Sequence, residues 1–404
     1  MASIPMTLGF LRGQAAFLRA HGIEVAAVAS PGVLLAQFGT TEGVACFAVP
    51  MARAITPLSD AVSLLRLWRI FRRLRPDVVD AHTPKGGLLG VTAAWLARVP
   101  ARVYHLHGLR FETATGMRRR VLRAADAISA RLATRVLCVS RSLAEAAAAE
   151  SVAPRSKLHV LGPGSINGVD ATRFRPPDRS ARVAARAELG IPADARVVGF
   201  VGRRALEKGI VELAEAWRSL RDELPDAWLV ILGPEEPTDP IPGRVAAALA
   251  ADPRVRTFDF DGDTTKYYRA MDVFVLPTYR EGFGVVTLEA AATGLPVVAT
   301  RVTGCVDAVE DGVTGTLVPP RDAGAIVAAL RAYLTDPALA KSHGEAGRAR
   351  VLRQFDQERI WAALRDEYLA LAGRGGSARA DPGRAARRRR EERREERAGS
   401  STWT

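Results

Sequence analysis

Long apolar runs are missing from this chain of 404 residues. Arg, Gly or Pro interrupts every such stretch well short of the ~18 residues that a membrane-spanning helix needs. The N-terminus shows no basic segment leading into an uninterrupted apolar one, so no secretory leader is expected. Both absences predict a cytoplasmic protein, or one that sits on a membrane surface without crossing it. Cysteine is scarce: Cys46, Cys138 and Cys305 have neither pairing nor metal-ligand spacing. They are expected to be buried thiols in a reducing compartment. Aromatic residues make up 6% of the chain, too few for the stacking platforms of a nucleic-acid binder. No G-x-G-x-x-G follows a strand-like run, which argues against a dinucleotide-dependent dehydrogenase.

Positive charge is abundant and unevenly spread. Of the net +13, residues 1–180 carry +13, residues 181–373 carry −5 and residues 374–404 carry +5. Such asymmetry points the first half at something anionic: lipid headgroups, a phosphorylated acceptor or nucleic acid. The 48% hydrophobic content suffices for sizeable cores.

Strand-like apolar runs alternate with helical patterns throughout. The runs fall at 23–30, 78–81, 103–107, 136–140 and 158–161, then at 196–201, 227–232, 255–260, 273–277, 296–299 and 315–318. Helical patterns occupy 57–74, 88–97, 116–133, 210–223 and 323–335, with two more helices after 335. This alternation predicts an α/β protein of two doubly wound, mostly parallel sheets. Pro176-Pro177 and Gly190-Ile191-Pro192 mark the boundary. The expected division is 1–178, 179–354, a helix at 355–372 and a disordered basic tail at 373–404. Only four residues precede Pro5, so the chain is expected to begin inside its first strand.

The stretch "YREGFGVVTLEAA" (279–291) follows a buried strand. Gly282 and Gly284 bracket Phe283, and a helix begins near Val285. Such a turn presents free N–H groups and the positive end of a helix dipole, a seat for phosphate. Glu281 before the turn and Glu289 one helical turn in would repel a bare phosphate, but they suit sugar and ribose hydroxyls. A second segment, "VVGFVGRRALEKGI" (197–210), sets Arg203 and Lys208 after another strand. Two fixed cations there can neutralise a diphosphate. Together the segments indicate a nucleotide-sugar site.

These two segments resemble the donor half of a family-4 retaining glycosyltransferase of the GT-B fold. Glu281 and Glu289 match that family's paired-glutamate signature, and Arg203 with Lys208-Gly209 matches its GR…KG loop. "DAHTPKGGLLG" (80–90), "YHLHGLRFET" (104–113), "LCVSRSL" (137–143) and "NGVDATRFRP" (167–176) are similar to the capsule and exopolysaccharide branch. The resemblance covers about residues 3–372. It implies two Rossmann-like domains facing across a cleft, with the last helix crossing back to the first. It implies that Arg203 and Lys208 bind the donor diphosphate, and that Phe283, Gly284 and Val285 offer N–H groups beside Gly282. Glu281 would contact the transferred sugar, and Glu289 the ribose. Gly9, in a first loop, and Gly233, opening the 233–265 loops, would border the donor. His82, Lys85, His107 and Arg110 would stand on the acceptor side, with His107 facing the transferred sugar or the acceptor. Arg204 departs from the apolar residue usual in that loop.

The implied reaction is front-face transfer with retention, with UDP favoured as the nucleotide, no cofactor and no metal. "DFDGD" (259–263) is expected to be a structural loop despite its Asp-x-Asp, and His82, His105 and His107 to be polar cleft residues and not zinc ligands. Two Arg-rich helical stretches, 64–76 and 117–135, predict attachment to an anionic membrane face and a polyprenyl-diphosphate-linked or saccharide acceptor. A nucleotide-sugar 2-epimerase of the same architecture and a non-enzymatic anionic-polymer binder are the alternatives; no nucleic-acid partner is expected.

Overall fold

The computed structural model describes residues 6–52, 56–260 and 262–376. Strands in the first half are β1 (Ala26–Ala29), β2 (Ala45–Ala48), β3 (Val78–His82), β4 (Ala101–Leu106), β5 (Arg135–Cys138) and β6 (Leu158–His159). The second half has β7 (Arg196–Val201), β8 (Ala227–Leu232), β9 (Val255–Phe258), β10 (Val273–Leu276), β11 (Val297–Thr300) and β12 (Gly315–Val318). Every ladder between them is parallel. The strands of the second sheet are apolar on both faces because helices cover both, as in β10, where all four residues are buried.

The second sheet has the order β12-β11-β10-β7-β8-β9. Chain order reverses between β7 and β10, so the loops after these two strands leave the sheet side by side. That crevice is where open parallel sheets bind ligands. The first half holds a four-stranded sheet, β3-β4-β5-β6, and a separate pair, β1-β2. Among the described residues no ladder joins the two, although Val28 of β1 and Val79 of β3 share one apolar cluster with Val49, Leu67 and Phe71. The expectation about the first strand falls on residues 1–4, outside the described residues.

β2 has little strand signal in the sequence: it is only four residues long, and its burial does not alternate. The Arg179–Glu188 helix was likewise not separated from the linker. Asp178 caps it by accepting from the Ala181 N–H at 2.8 Å, and Arg182 and Arg186 tie it to Asp272 of the second domain. Cys138 and Cys305 are buried as expected, but Cys46 is only half-buried, on the short β1-β2 pair.

After the Pro337–Arg350 helix the chain passes through a wide turn, Val351–Phe355, into the Gln357–Gly376 helix. That helix crosses back: Leu364 and Leu371 pack on Ala101, Val103 and Leu137. Trp361 Nε1 donates to Asn167 Oδ1 at 2.5 Å, and Arg135 pairs with Glu367 at 2.8 Å. The helix runs on to Gly376, beyond the expected end; residues 377–404 of the expected tail lie outside the described residues. No described helix is long and apolar enough to cross a membrane.

Candidate active site

Gly209 sets the floor of the site. It begins the Ile210–Glu223 helix with φ +71, and a Cβ there would stand 2.0 Å from the Pro277 carbonyl oxygen. Only glycine lets the loop after β7 lie against the loop after β10. The result brings Lys208 Nζ to Glu281 Oε2 at 2.5 Å. Arg203 pairs with Glu207 at 2.8 Å and, more closely still, with Glu236. Arg280 meets the other oxygen of Glu207 at 2.7 Å. Burial alone would raise the Glu207 carboxyl, but Arg280, Lys208 and Arg203 hold it down at about 2. Glu281 is likewise below its ordinary range: burial opposes this, and Lys208 decides it.

The sequence reading anticipated Arg203, Lys208 and Glu281 but missed Arg280, Glu207 and Glu236. Glu207 was findable, since it stands four residues after Arg203 in the same loop segment. Arg280 had no signal beyond adjacency to Glu281. Arg204 turns away from the cations, to Asp259 at 3.1 Å and Glu235 at 3.7 Å. Asp263 takes Arg173 at 2.8 Å. Two acids of the "DFDGD" stretch are thus occupied by arginines; Asp261 lies outside the described residues.

The Gly-Phe-Gly turn meets the first domain. A Cβ on Gly282 would stand 1.9 Å from the His107 carbonyl oxygen, and the Ser140 hydroxyl donates to the Gly282 carbonyl at 2.8 Å. Phe283 is buried and its ring packs 5.4 Å from Phe355. Its side chain therefore anchors the turn. Gly284, at φ +80, opens the Val285–Ala292 helix, whose first N–H groups have no intrahelical acceptor. Beside the turn, Asp307 grips the start of the Arg141–Ala149 helix: it accepts from the Arg141 N–H at 3.0 Å, the Ser142 N–H at 3.2 Å and the Ser142 hydroxyl.

His107 therefore faces the donor loops from the end of β4. Its Nε2 is 2.9 Å from His82 Nδ1, and its ring stacks 4.9 Å from His105. Asp80, His82 and His105 each bring one ligand-type atom within 4.8 Å of the others; the contacts among them account for the arrangement. Glu289 lies apart, bonded to the Tyr268 hydroxyl at 2.8 Å. Burial pushes its carboxyl up to about 7, with Tyr268 and Arg173 opposing.

Other expected residues make contacts of their own. Lys85 is drawn to Asp60 at 2.8 Å, because that carboxylate opens the Pro57–Leu74 helix beside it. Arg110 acts electrostatically on Asp126, the buried partner of Tyr104. Gly9 ends a short helix, Met6–Gly9, instead of lying in a loop, and nothing stands within 4 Å of where its Cβ would be. Gly233 serves close packing: a Cβ there would meet the Gly202 carbonyl oxygen at 2.1 Å.

The parallel sheets, the cations at the switch point and the glycine turn facing a second domain define a GT-B glycosyltransferase. Residues 10–164 match the glycosyl transferase 4-like domain and residues 182–350 match glycosyl transferases group 1. The chain belongs to the family-4 glycosyltransferases, in their capsule-related branch. It is 33% identical to the capsular polysaccharide biosynthesis glycosyltransferase CapM of Staphylococcus aureus, over 91% of this chain and 95% of that protein. It is 27% identical to the Escherichia coli UDP-Gal:alpha-D-GlcNAc-diphosphoundecaprenol alpha-1,3-galactosyltransferase, over 81% and 84%. Anabaena HepE, solved with UDP and glucose, has the same fold: TM-score 0.74 at 21% identity, covering 89% of this chain and 96% of that one.

Proposed function

We propose that this protein moves a sugar, with retention, from a UDP-sugar to a saccharide or polyprenyl-diphosphate-linked acceptor in cell-surface polysaccharide synthesis. One observation carries the reading. Arg203, Lys208 and Arg280 converge beside the N-terminus of the Val285–Ala292 helix, across the cleft from His107. A diphosphate takes over the cations from Glu207, Glu236 and Glu281. The 283–285 N–H groups and the helix dipole add to its stabilisation as the bond to the sugar breaks. Glu281, released from Lys208, accepts from hydroxyls of the transferred sugar, and Glu289 from the ribose. Charge is neutralised by these side chains, so no metal is required.

UDP and a lipid-linked acceptor are favoured because the Escherichia coli relative's name specifies both. The surface fits such an acceptor. Arg66, Arg69, Arg72 and Arg73 are exposed on the Pro57–Leu74 helix beside Leu58, Val62, Leu65 and Leu74. On the Gly116–Leu132 helix, Arg118 and Arg120 are exposed with Met117, Val121 and Ile128. Cations mixed with exposed apolar groups suit the anionic inner face of a membrane.

Calorimetric titration with UDP, GDP and ADP tests the donor site, followed by transfer from UDP-sugars to an undecaprenyl-diphosphate saccharide, with and without EDTA. UDP-selective binding and an α-configured product from an α-configured donor are expected. Binding of no nucleotide would sink the proposal. A free sugar isomer made without acceptor would replace it with an epimerase, and loss of activity in EDTA would end its metal-independent form.

A further inference from the structure

Tyr368 belongs to the crossing helix, yet its hydroxyl donates to Asp80 Oδ2 in the middle of β3, 2.5 Å away. The same oxygen takes His105 Nδ1 at 3.2 Å and lies 3.6 Å from His82 Nε2. The opposite nitrogen of His82, Nδ1, is the one 2.9 Å from His107 Nε2. A line of contacts therefore runs from the last helix through Asp80 and His82 to the histidine at the cleft. The "YHLHGLRFET" segment marks the His107 end of it, but no motif in the sequence marks Tyr368.

The line has a direction. A neutral imidazole has one donor and one acceptor nitrogen. His82 is neutral at working pH, because burial pushes it down to about 3. Asp80 Oδ2 accepts from the Tyr368 hydroxyl and faces His105 Nδ1, contacts that favour its ionised form against burial. A lone pair on His82 Nε2 would face that carboxylate and be repelled, whereas an N–H there is attracted. His82 then has its lone pair on Nδ1, and only a proton on His107 Nε2 completes their contact.

We propose that Asp80, held by the Tyr368 hydroxyl, is a positioning residue that sets His82 in its Nε2–H form and thereby His107 in the same form. His107 Nδ1 is left as an acceptor for a hydroxyl of the transferred sugar or of the acceptor. The inference rests on the glycosyltransferase reading of the cleft. It makes the docking of the crossing helix a condition for the correct histidine tautomer.

The test is a long-range 1H–15N spectrum of full-length protein labelled at histidine nitrogen, assigned with His107→Gln. Asp80→Asn and Tyr368→Phe are compared by the same spectrum, by kcat and by UDP titration. In the wild type, His107 should show its proton on Nε2. In Asp80→Asn the proton should shift in part to Nδ1, and kcat should fall by about tenfold or more, as when a histidine loses its orienting aspartate. UDP affinity should stay within about twofold, because the nucleotide binds elsewhere. Tyr368→Phe, the milder change, should lower kcat by about threefold through the loss of one hydrogen bond. A wild-type proton on Nδ1, or a tautomer unmoved in Asp80→Asn, overturns the inference. If UDP binds in that case, the glycosyltransferase reading survives it. A tautomer that responds to Asp80 in a protein that binds no nucleotide leaves the line standing and overturns the reading instead.

Discussion

Glu289 gives the cleft a pH dependence of its own. Its carboxyl sits at about 7 in the folded protein, against an ordinary value near 4.3. The groups facing it are the Tyr268 hydroxyl and the charge of Arg173. A ribose diol donates best to the ionised form, so UDP affinity should rise between pH 6 and pH 8. Titration calorimetry on wild type and Glu289→Gln checks this, with a flat profile expected for the variant. Stability runs the other way. A raised carboxyl contributes stability that is fully present below the unfolded value and is lost as pH rises through the folded one. Glu289→Gln should therefore remove part of a decline in melting temperature between about pH 4 and pH 7. Arg203→Ala should weaken UDP by about 1.5–3 kcal/mol, the range for hydrogen bonds to charged groups. Full affinity in that variant would remove Arg203 from the donor site.

Two loops and one helix start do most of the assembly. Gly282→Ala would bring a Cβ within 1.9 Å of the His107 carbonyl oxygen. Neither backbone can absorb that overlap without the domains parting, so transfer should fall by more than about tenfold while the second domain keeps its fold. Steady-state kinetics with circular dichroism separates the two. Asp307 holds the Arg141–Ala149 helix of the opposite domain by that helix's first N–H groups. Asp307→Ala should cost about 1–2 kcal/mol, the range for a lost N-terminal cap, measured by denaturant unfolding. The glycine turn and the cation loop were legible in the sequence because each combines a strand, a glycine and a charge within a dozen residues. Of the carboxylates that hold those cations, Glu236 was not. Glu236 arrives from the loop after β8, and no local pattern records a partner that far away. The pairing of Lys85 with Asp60, on a neighbouring helix, went unrecorded for the same reason.

At the scale of the molecule, alternation of short apolar runs with helices was enough to foresee parallel sheets in both halves, but not that β1-β2 stands apart from β3-β4-β5-β6. β2 escaped because four residues carry too little periodicity. The crossing helix was foreseen from its resemblance; its contact with Asp80 was not, because 288 positions separate Tyr368 from its partner. Trp361 fastens that helix to Asn167 and packs against Gly13 and Phe17. Trp361→Ala should destabilise the protein by about 3–5 kcal/mol, as large buried aromatics do. A smaller loss by denaturant unfolding would mean that the helix end is dispensable.

The pairing of Arg203, Lys208 and Arg280 with Glu207, Glu236 and Glu281 has a bearing on the turnover cycle. Bare cations there would attract any passing phosphate and would be slow to let a spent nucleotide go. Here the carboxylates act as resident understudies. On the proposed function, inorganic phosphate would find no uncompensated charge among these residues, and a departing nucleotide would be replaced by oxygens already within reach. Tight grip during the reaction and quick clearance after it would then follow from one exchange of partners.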